Sequence, residues 1–211
     1  MPQPIDPIAP VAPLLVGGHR ALDFLNSVFT PQAEPIDFLR DGAALLAWID
    51  ATQLLPSPLS AAVLALKPRQ RDALAAELRG LRDWLRNLLA RWTTAAAPAL
   101  TDADLAQLNG WLAGGALRQT AVRGADGAVA LLTERVPGAG AVLAELAAAC
   151  VELLESHRPD QLRKCENPAC TLWFADSKRG PRRRWCSMSA CGNRNKAAAH
   201  RARARGELAA E

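Results

Sequence analysis

The sequence has 211 residues, of which 50% are hydrophobic, and a formal net charge of +4. This length suits one domain with a small additional module, or one larger domain, and the apolar content is enough to bury a core. No run approaches the roughly 18 consecutive apolar residues that a membrane-spanning helix needs. We therefore expect no membrane partner and a cytoplasmic location.

The positive charge is concentrated in one part of the chain. Residues 161–211 contain twelve Lys and Arg residues against four Asp and Glu residues, whereas residues 1–160 carry an excess of acidic ones. A local excess of positive charge favours a polyanionic partner. Four of the five cysteines, all but Cys150, lie in the same basic segment. In a reducing compartment, clustered cysteine pairs indicate a metal site rather than disulfides.

The first 160 residues are predicted to be mainly helical. Residues 1–14 form a proline-rich stretch, which predicts a disordered arm ahead of a domain over residues 15–160. Within ALDFLNSVF (residues 21–29), four apolar residues share one helical face: Leu22, Leu25, Val28 and Phe29. Further helices are predicted after an N-cap at Asp41, over 59–66, from Pro68 through Trp92, from Thr101 or Asp102 through Leu112, and over 140–157.

The hydrophobic period changes after residue 115. Residues 116–124 and 128–136 flank Ala125-Asp126-Gly127, and Asp-Gly is a strong turn signal. We predict a β-hairpin here. The fold class is therefore α+β, with a mainly helical N-terminal domain that contains one small hairpin.

No catalytic constellation is found in this domain, and we expect no enzymatic activity. The three histidines, His19, His157 and His200, have no metal-binding partner three or four residues on, and no phosphate-binding glycine loop occurs. His19, Asp23 and Asn26 form a candidate ligand pocket. The alternative is that Asp23 and Asn26 cap or face the helix. Cys150 lies among alanines and is expected to be a small buried residue.

The spacing of the clustered cysteines is C-x4-C-x15-C-x4-C. Two close pairs separated by enough chain for a hairpin are typical of a structural zinc site with four thiolates. We predict one structural Zn²⁺, bound by Cys165, Cys170, Cys186 and Cys191. The alternative is reactive or disulfide-forming pairs. They would leave a module this small with almost no core, and such modules ordinarily need a metal or disulfides.

The sequence between and after these pairs predicts a zinc module over residues 161–211. A strand over 171–176 is expected to turn at 177–181 and return over 182–185. Ser187 is a favourable N-cap for a helix that begins at Met188 and carries Cys191 in its first turn. A knuckle, a hairpin and a helix that supplies the last ligand form a treble-clef-like module.

These motifs resemble the CGNR zinc finger of bacterial proteins, through the C-x4-C pair, the aromatic and basic hairpin, and Cys191-Gly192-Asn193-Arg194. The N-terminal part is similar to the ABATE domain that usually precedes this finger, on ALDFLNSV and on the order of elements. Ser27 departs from that pattern, since the family commonly has threonine there. The resemblance implies a stress-linked transcription regulator.

The basic residues of the module are candidates for nucleic-acid contact. Phosphate contacts supply most of the nonspecific affinity for nucleic acid, and a helix that leaves a zinc knuckle can enter the major groove. Asn193 and Arg194 can read bases there, or they can support the metal ligands instead. For the last three arginines the alternative is a solvated helix end. The predicted contacts are Lys178, Arg179, Arg182, Arg183, Arg184, Asn193, Arg194, Lys196, Arg201, Arg203 and Arg205.

The expected function is that of a zinc-dependent, DNA-binding transcription regulator. Its N-terminal domain would sense an unidentified small-molecule effector or pair two protomers into a homodimer, and duplex DNA would be the partner of the zinc module. One alternative is an RNA-binding zinc protein that stacks Trp173, Phe174 and Trp185 on unpaired bases. Another is a protein-interaction adaptor with a purely structural zinc.

Overall fold

The computed structural model describes residues 11–30, 34–94, 100–176, 182–193 and Lys196. Helices and strands alternate irregularly along this part of the chain, and each sheet has two antiparallel strands. The helices are α1 (Arg20–Leu25), α2 (Gly42–Thr52), α3 (Ser57–Ala65), α4 (Pro68–Trp92), α5 (Asp102–Ala113) and α6 (Ala139–Ser156). The strands are β1 (Val28–Phe29), β2 (Ile36–Asp37), β3 (Leu117–Arg123), β4 (Val129–Arg135), β5 (Leu162–Lys164) and β6 (Trp173–Ala175).

Helix α4 forms the centre of the main core. Its leucines recur every three or four residues, so they share one face and are shielded from solvent by α1, α2 and α6. Trp48 of α2 and Phe24 of α1 meet edge to face in this core, with ring centroids 6.2 Å apart. The buried leucines of α4 are Leu74, Leu78, Leu81, Leu85, Leu88 and Leu89.

Most predicted elements of the N-terminal domain are confirmed. Asp41 caps α2 by accepting a hydrogen bond from the Ala44 amide, and Thr101 caps α5 in a capping box. Helix α4 has the predicted bounds, with Pro68 in its first turn. Strands β3 and β4 pair on either side of the predicted turn. The α+β class is therefore correct.

The predicted helix over residues 21–29 is wrong in its second half. Helix α1 ends at Leu25 with Asn26 as its C-cap, and Val28 and Phe29 form β1, which pairs with β2. The Asn26 side chain bonds to the backbone of β6, and the chain leaves the helix at this residue. A β-branched residue beside an aromatic one is also well suited to a strand.

The hairpin predicted between residues 171–176 and 182–185 is also wrong. Strand β6 pairs instead with β5, which precedes the first cysteine pair, with Lys164 opposite Trp173. Residues 182–185 form no strand, because the Asp176 carboxylate, and not a neighbouring strand, accepts the Arg183 backbone N–H. The predicted turn at 177–181 lies outside the described residues.

The zinc module packs directly on the helical domain. Leu162, Trp173 and Ala175 belong to the main core, and the Ala175 amide donates to the Gly17 carbonyl at 2.7 Å. Gly18 follows with a φ of +74°, a conformation that favours glycine. Among the described helices, none has the length and hydrophobicity needed to cross a bilayer.

Candidate metal centre

The four predicted cysteines meet at one point. Their sulfur atoms all lie within 4.8 Å of one another, and each residue is at most 5% exposed. None of the four forms a disulfide, and the Sγ atoms of Cys170 and Cys186 are 4.0 Å apart. A disulfide requires about 2.05 Å. Zinc–sulfur bonds of about 2.3 Å in a tetrahedron place sulfurs about 3.8 Å apart.

The first pair is positioned by a tight turn at the end of the β5–β6 hairpin. The Cys165 amide donates to the Leu172 carbonyl at 2.9 Å, and the Cys170 amide donates to the Asn167 carbonyl at 2.8 Å. The Asn167 side chain stabilises the turn by accepting from the Ala169 amide. Both thiols consequently point to the same side of the hairpin.

The second pair comes from a short helical turn. Met188–Gly192 form a π-helical turn in which the amides of Cys191 and Gly192 donate to the Ser187 carbonyl. This matches the predicted helix start after Ser187. A Cβ atom on Gly192 would lie 2.6 Å from the Met188 sulfur, so a larger residue here would displace the Met188 side chain.

Backbone and side-chain groups outside the thiols donate to the sulfur atoms. The Asn167 amide nitrogen lies 3.5 Å from Cys191 Sγ, and the Cys186 backbone N–H lies 3.4 Å from Cys165 Sγ. Such donors stabilise negative charge on sulfur and orient metal ligands. Asn167 was not among the predicted site residues, although its place between the first two cysteines was a usable signal.

The thiols influence one another strongly. The hydrogen bond with Cys186 lowers the pKa of the Cys170 thiol to about 5, whereas the same bond and burial raise the pKa of Cys186. Burial raises the pKa of Cys191 to about 11. One thiolate forms readily, and its charge opposes further ionisation. A divalent cation removes that opposition, because it supplies the positive charge that four clustered thiolates need.

The donor set therefore matches one structural zinc ion. Four sulfur ligands in two pairs, buried and closely spaced, are typical of closed tetrahedral zinc sites. The fifth cysteine, Cys150, lies in α6, is fully buried, and has its thiol pKa raised to about 12 by burial. Zinc is the cofactor of this chain, and Cys165, Cys170, Cys186 and Cys191 would hold it.

The metal centre has its own apolar cluster, which includes residues of the helical domain. Phe29 of β1 is 4% exposed and packs with the four cysteines, Leu172 and Phe174. Phe29 also stacks on Phe38, with ring centroids 6.0 Å apart. Leu14 and Val16, which precede α1, cover the same cluster. No local pattern predicts these contacts, because they join residues that are far apart in the chain.

Two polar side chains of the helical domain also hold the module. Asn26 receives and donates a hydrogen bond with the Trp173 backbone, and it is 2% exposed. Arg86 of α4 donates to the carbonyls of Leu25 and Thr171, at 2.8 and 3.2 Å. Thr171 directly follows Cys170, so α4 contacts the chain next to a metal ligand.

The residues of the candidate ligand pocket all make structural contacts. His19 caps α1 by accepting from the Ala21 amide, and Asp23 accepts from the Gly17 amide at 2.8 Å. Burial raises the pKa of Asp23, and burial together with the nearby His157 ring lowers the pKa of His19. With the two bonds of Asn26, these contacts favour the capping alternative, while the ligand pocket stays a prediction.

The described basic residues differ in their surroundings. Arg182 lies 3.9 Å from Asp160 and Arg184 lies 2.7 Å from Glu166, and both side chains are largely exposed. Arg183 is 43% exposed and lies against the domain surface, where it donates to the Ala175 carbonyl, lies 3.6 Å from Asp176 and lies over the Phe174 ring. Asn193 and Lys196 are exposed. Lys178, Arg179, Arg194, Arg201, Arg203 and Arg205 lie outside the described residues.

The aromatic side chains considered for base stacking are mostly enclosed. Trp173 is 5% exposed and Phe174 is fully buried, so neither presents a ring face to a partner. Trp185 is half-buried, and the Arg184 guanidinium lies over its ring, 5.0 Å from the centroid. The structure thus removes two of the three residues on which the RNA alternative depended.

Comparison with known proteins adds two findings. Residues 18–157 match the family model ABATE, described as "Putative stress-induced transcription regulator", and residues 161–204 match the model of the CGNR zinc finger. The two matches cover the helical domain and the metal centre respectively. No curated protein matches the chain.

Proposed function

Because the chain belongs to the ABATE family and carries a CGNR zinc finger, we propose that it is a transcription regulator that binds duplex DNA through the zinc module. Zinc has a structural role in this proposal. It joins the first cysteine pair to the second, and it takes no part in chemistry. The proposal includes no catalytic activity.

One observation carries the proposal. From residue 177 to residue 206 the chain contains ten Lys and Arg residues and no Asp or Glu. Cys186 and Cys191 lie within this stretch, so zinc binding fixes part of it to the folded domain. An uninterrupted positive segment anchored on a rigid scaffold is suited to the phosphate backbone of a duplex.

The described arginines support a refined assignment of the contacts. Arg182 and Arg184 expose 72% and 68% of their side chains, and their ion pairs with Asp160 and Glu166 are at the surface. Such pairs contribute little energy and exchange readily for a phosphate. Arg183 is less exposed, at 43%, and it contacts Phe174, Ala175 and Asp176. We therefore assign phosphate contacts to Arg182 and Arg184, and a structural role to Arg183.

A groove beside these arginines supports the same surface. It has a volume of about 630 Å³ and runs between the segment before α1 and the second cysteine pair. Leu15 and Val16 form one wall, while Trp185 and Met188 form the other. Since Arg182 and Arg184 line it as well, an anionic backbone that follows this groove would remain close to positive charge.

For the N-terminal domain we propose regulation of the zinc module, by an effector or by pairing of protomers. A cleft of about 730 Å³ supports this, because residues of both domains line it. Trp92 and His157 come from the helical domain, and Asp176 and Arg182 come from the zinc module. A ligand in this cleft would contact both parts and would bias their arrangement.

The test is a binding titration of the full, zinc-loaded chain with duplex DNA and, separately, with single-stranded RNA. A titration with buffer alone is the blank. Regulation through DNA predicts saturable duplex binding that weakens steeply with salt. Preferential RNA binding would support the RNA-binding alternative, and absence of binding to either would support the adaptor alternative. Selection of genomic fragments by the purified protein then identifies the recognised sequence.

A further inference from the structure

Strands β3 and β4 form a hairpin that the rest of the domain leaves uncovered. Every residue of β3 and the first five residues of β4 are exposed. Large apolar side chains are among them, with Leu117, Val129 and Leu131 at 61%, 84% and 65% exposure. A two-stranded hairpin is marginally stable in water by itself. Such a hairpin gains stability when another strand or surface covers it.

The alternation of hydrogen-bonded residue pairs along the hairpin shows which backbone groups face outward. The Gly124 amide donates to the Ala128 carbonyl, and the Val136 amide donates to the Ala116 carbonyl, so even-numbered residues pair within the hairpin. In an antiparallel ladder the alternate residues direct N–H and C=O away from their partner strand. On β4 these outward residues are Val129, Leu131, Thr133 and Arg135.

The two edges of the hairpin differ in charge. Strand β3 carries Arg118 and Arg123 and no acidic residue, and charged residues of this kind protect an edge against pairing. The five residues from Val129 to Thr133 carry no charge. Glu134 and Arg135 lie at the base of the hairpin, where Glu134 approaches Arg118 and Arg135 bonds to Glu145. The β4 edge is therefore open and unprotected.

We propose that β4 pairs antiparallel with β4 of a second copy of this chain, about a two-fold axis at Leu132. In this register, the outward groups of Leu131 bond to Thr133 of the partner subunit, and those of Val129 bond to Arg135 of the partner subunit. Leu132 lies opposite Leu132 of the partner subunit. The result is a continuous four-stranded sheet of order β3-β4-β4-β3.

Several observations select a second copy as the occupant. This register pairs the strand over its whole length and places no like charges opposite each other, because Glu134 faces Ala130 of the partner subunit. Pairing through β3 would instead gather four arginines without an acid. Among the described residues the remaining strands have only two or three residues, so this part of the chain supplies no substitute. A two-fold contact also closes on itself, which limits assembly to a dimer.

The inference is independent of DNA binding, and its test measures only the oligomeric state of the full, zinc-loaded chain. Leu131→Pro removes an outward N–H, which the hairpin itself does not use. Ala121 lies opposite Leu131 and directs its own N–H to the β3 edge, so Ala121→Pro is the matched control. Far-UV circular dichroism and zinc content establish that both variants are folded.

In sedimentation equilibrium we expect a dimer for the wild type and for Ala121→Pro. For Leu131→Pro we expect a dissociation constant raised by more than about tenfold, since the substitution removes two symmetric hydrogen bonds. If Leu131→Pro does not fold, Leu131→Lys replaces it, because a lysine on the β4 edge also opposes strand pairing. Leu117→Lys, which places a lysine on β3, is then the control. A monomeric wild type, an undiminished dimer in the Leu131 variants, or equal weakening by the β3 variants would overturn the proposal.

Discussion

Asn26 and Trp173 share two hydrogen bonds, although they lie 147 positions apart in the sequence. The Asn26 amide nitrogen donates to the Trp173 carbonyl at 2.8 Å, and the Trp173 amide donates to the Asn26 amide oxygen at 2.9 Å. The side chain thus substitutes for a neighbouring strand beside β6. It connects the end of α1 to the metal-binding hairpin.

The first prediction concerns this connection. Asn26→Ala leaves two buried backbone groups of Trp173 without partners, so we expect the free energy of unfolding to fall by about 2–4 kcal/mol. Denaturant unfolding followed by tryptophan fluorescence measures this change. Asn109→Ala, at an exposed position of α5, is the control and should change stability by less than about 0.5 kcal/mol. Equal effects of the two substitutions would show that the connection carries no stability.

The second prediction concerns metal content. The purified, reduced chain should contain one zinc ion, and Cys186→Ser should lose it because a hydroxyl is a poor replacement for a thiolate ligand. Cys150→Ala is the matched control, since it also removes a buried cysteine but should retain one equivalent. Elemental analysis distinguishes these results. Less than half an equivalent in the wild type would contradict the assignment of the site.

Removal of the metal should affect more than the zinc module. Phe29 packs with the four cysteines, and Trp173 packs in the main core, so both cores depend on the same hairpin. We expect chelation to lower the thermal unfolding temperature of the whole chain, in a single transition. A calorimetric scan that showed an unchanged transition for the helical domain would contradict this coupling.

A third prediction concerns Arg82, which is 4% exposed and contacts two carboxylates. Asp37 binds it at 2.6 and 2.8 Å, whereas the exposed Asp83 lies 3.5 Å away. Asp37→Asn should destabilise the fold by about 3 kcal/mol, because it leaves a buried cation poorly paired. Asp83→Asn, the control, should cost far less. Urea denaturation of both variants provides the comparison.

The same pair has a defined pH dependence. Burial would raise the pKa of Asp37, but hydrogen bonds and charge from Arg82 outweigh burial, and the pKa lies below its usual value. The stabilisation is complete above that usual value, near pH 4, and is lost as the pH falls through the lower pKa of the folded state. The stability difference between wild type and Asp37→Asn should therefore shrink below about pH 4. A constant difference down to about pH 2 would contradict the ion pair as its cause.

The fourth prediction separates neighbouring arginines on DNA. Replacement of Arg182 and Arg184 by alanine should weaken binding to all sequences, and it should reduce the salt slope by about 0.9 for each phosphate interaction that the substitutions remove. Between 50 and 200 mM salt, six to ten such interactions in the wild type should lower the affinity by roughly 10³ to 10⁵. Arg118→Ala on the exposed hairpin is the control and should leave the slope unchanged.

Arg183→Ala should behave differently from its neighbours. It removes the cation–π interaction with Phe174 and the hydrogen bond to Ala175, so we expect lower stability of the zinc module with little change in the salt slope. Competition between zinc and a chelator reports the stability, and the DNA titration reports the slope. A reduced slope with unchanged stability would reverse the roles assigned to Arg183 and Arg184.

The fifth prediction concerns Arg194, whose position close to Cys191 in the sequence allows either base contact or support of the metal. If Arg194 contacts a base, Arg194→Ala should reduce the binding free energy for the preferred DNA site by about 1–3 kcal/mol and change it little for unrelated duplexes. Comparison of the two affinities measures this specificity. An equal reduction on both duplexes, together with weaker zinc retention, would indicate support of the metal instead.

The sequence predicted those features that depend on local pattern. The period of its leucines located α4 from Pro68 to Trp92, and Asp126-Gly127 located the exposed hairpin. The four cysteines were identified from spacing alone, because metal chelation requires close pairs. Each of these signals lies within a short stretch of chain.

The errors concern pairings between distant residues. Strand β6 was assigned to the wrong partner because residues 162–164 and 182–185 are both near in sequence, and only tertiary packing distinguishes them. Trp173 and Phe174 are consecutive, so they face opposite sides of the strand and enter different cores. Val28 and Phe29 were assigned to a helix because their spacing suited one, although Asn26 ends α1 before them.

The shared hairpin has a consequence for synthesis of the chain. The helical domain is translated first, yet its core requires Leu162, Trp173 and Ala175, which leave the ribosome only after all of its helices. The cysteines at positions 186 and 191 emerge later still. We therefore expect the helical domain of a nascent chain to remain incompletely folded until Ala175 has left the ribosome. Limited proteolysis of ribosome complexes stalled with Ala175 either inside or outside the exit tunnel would follow this step.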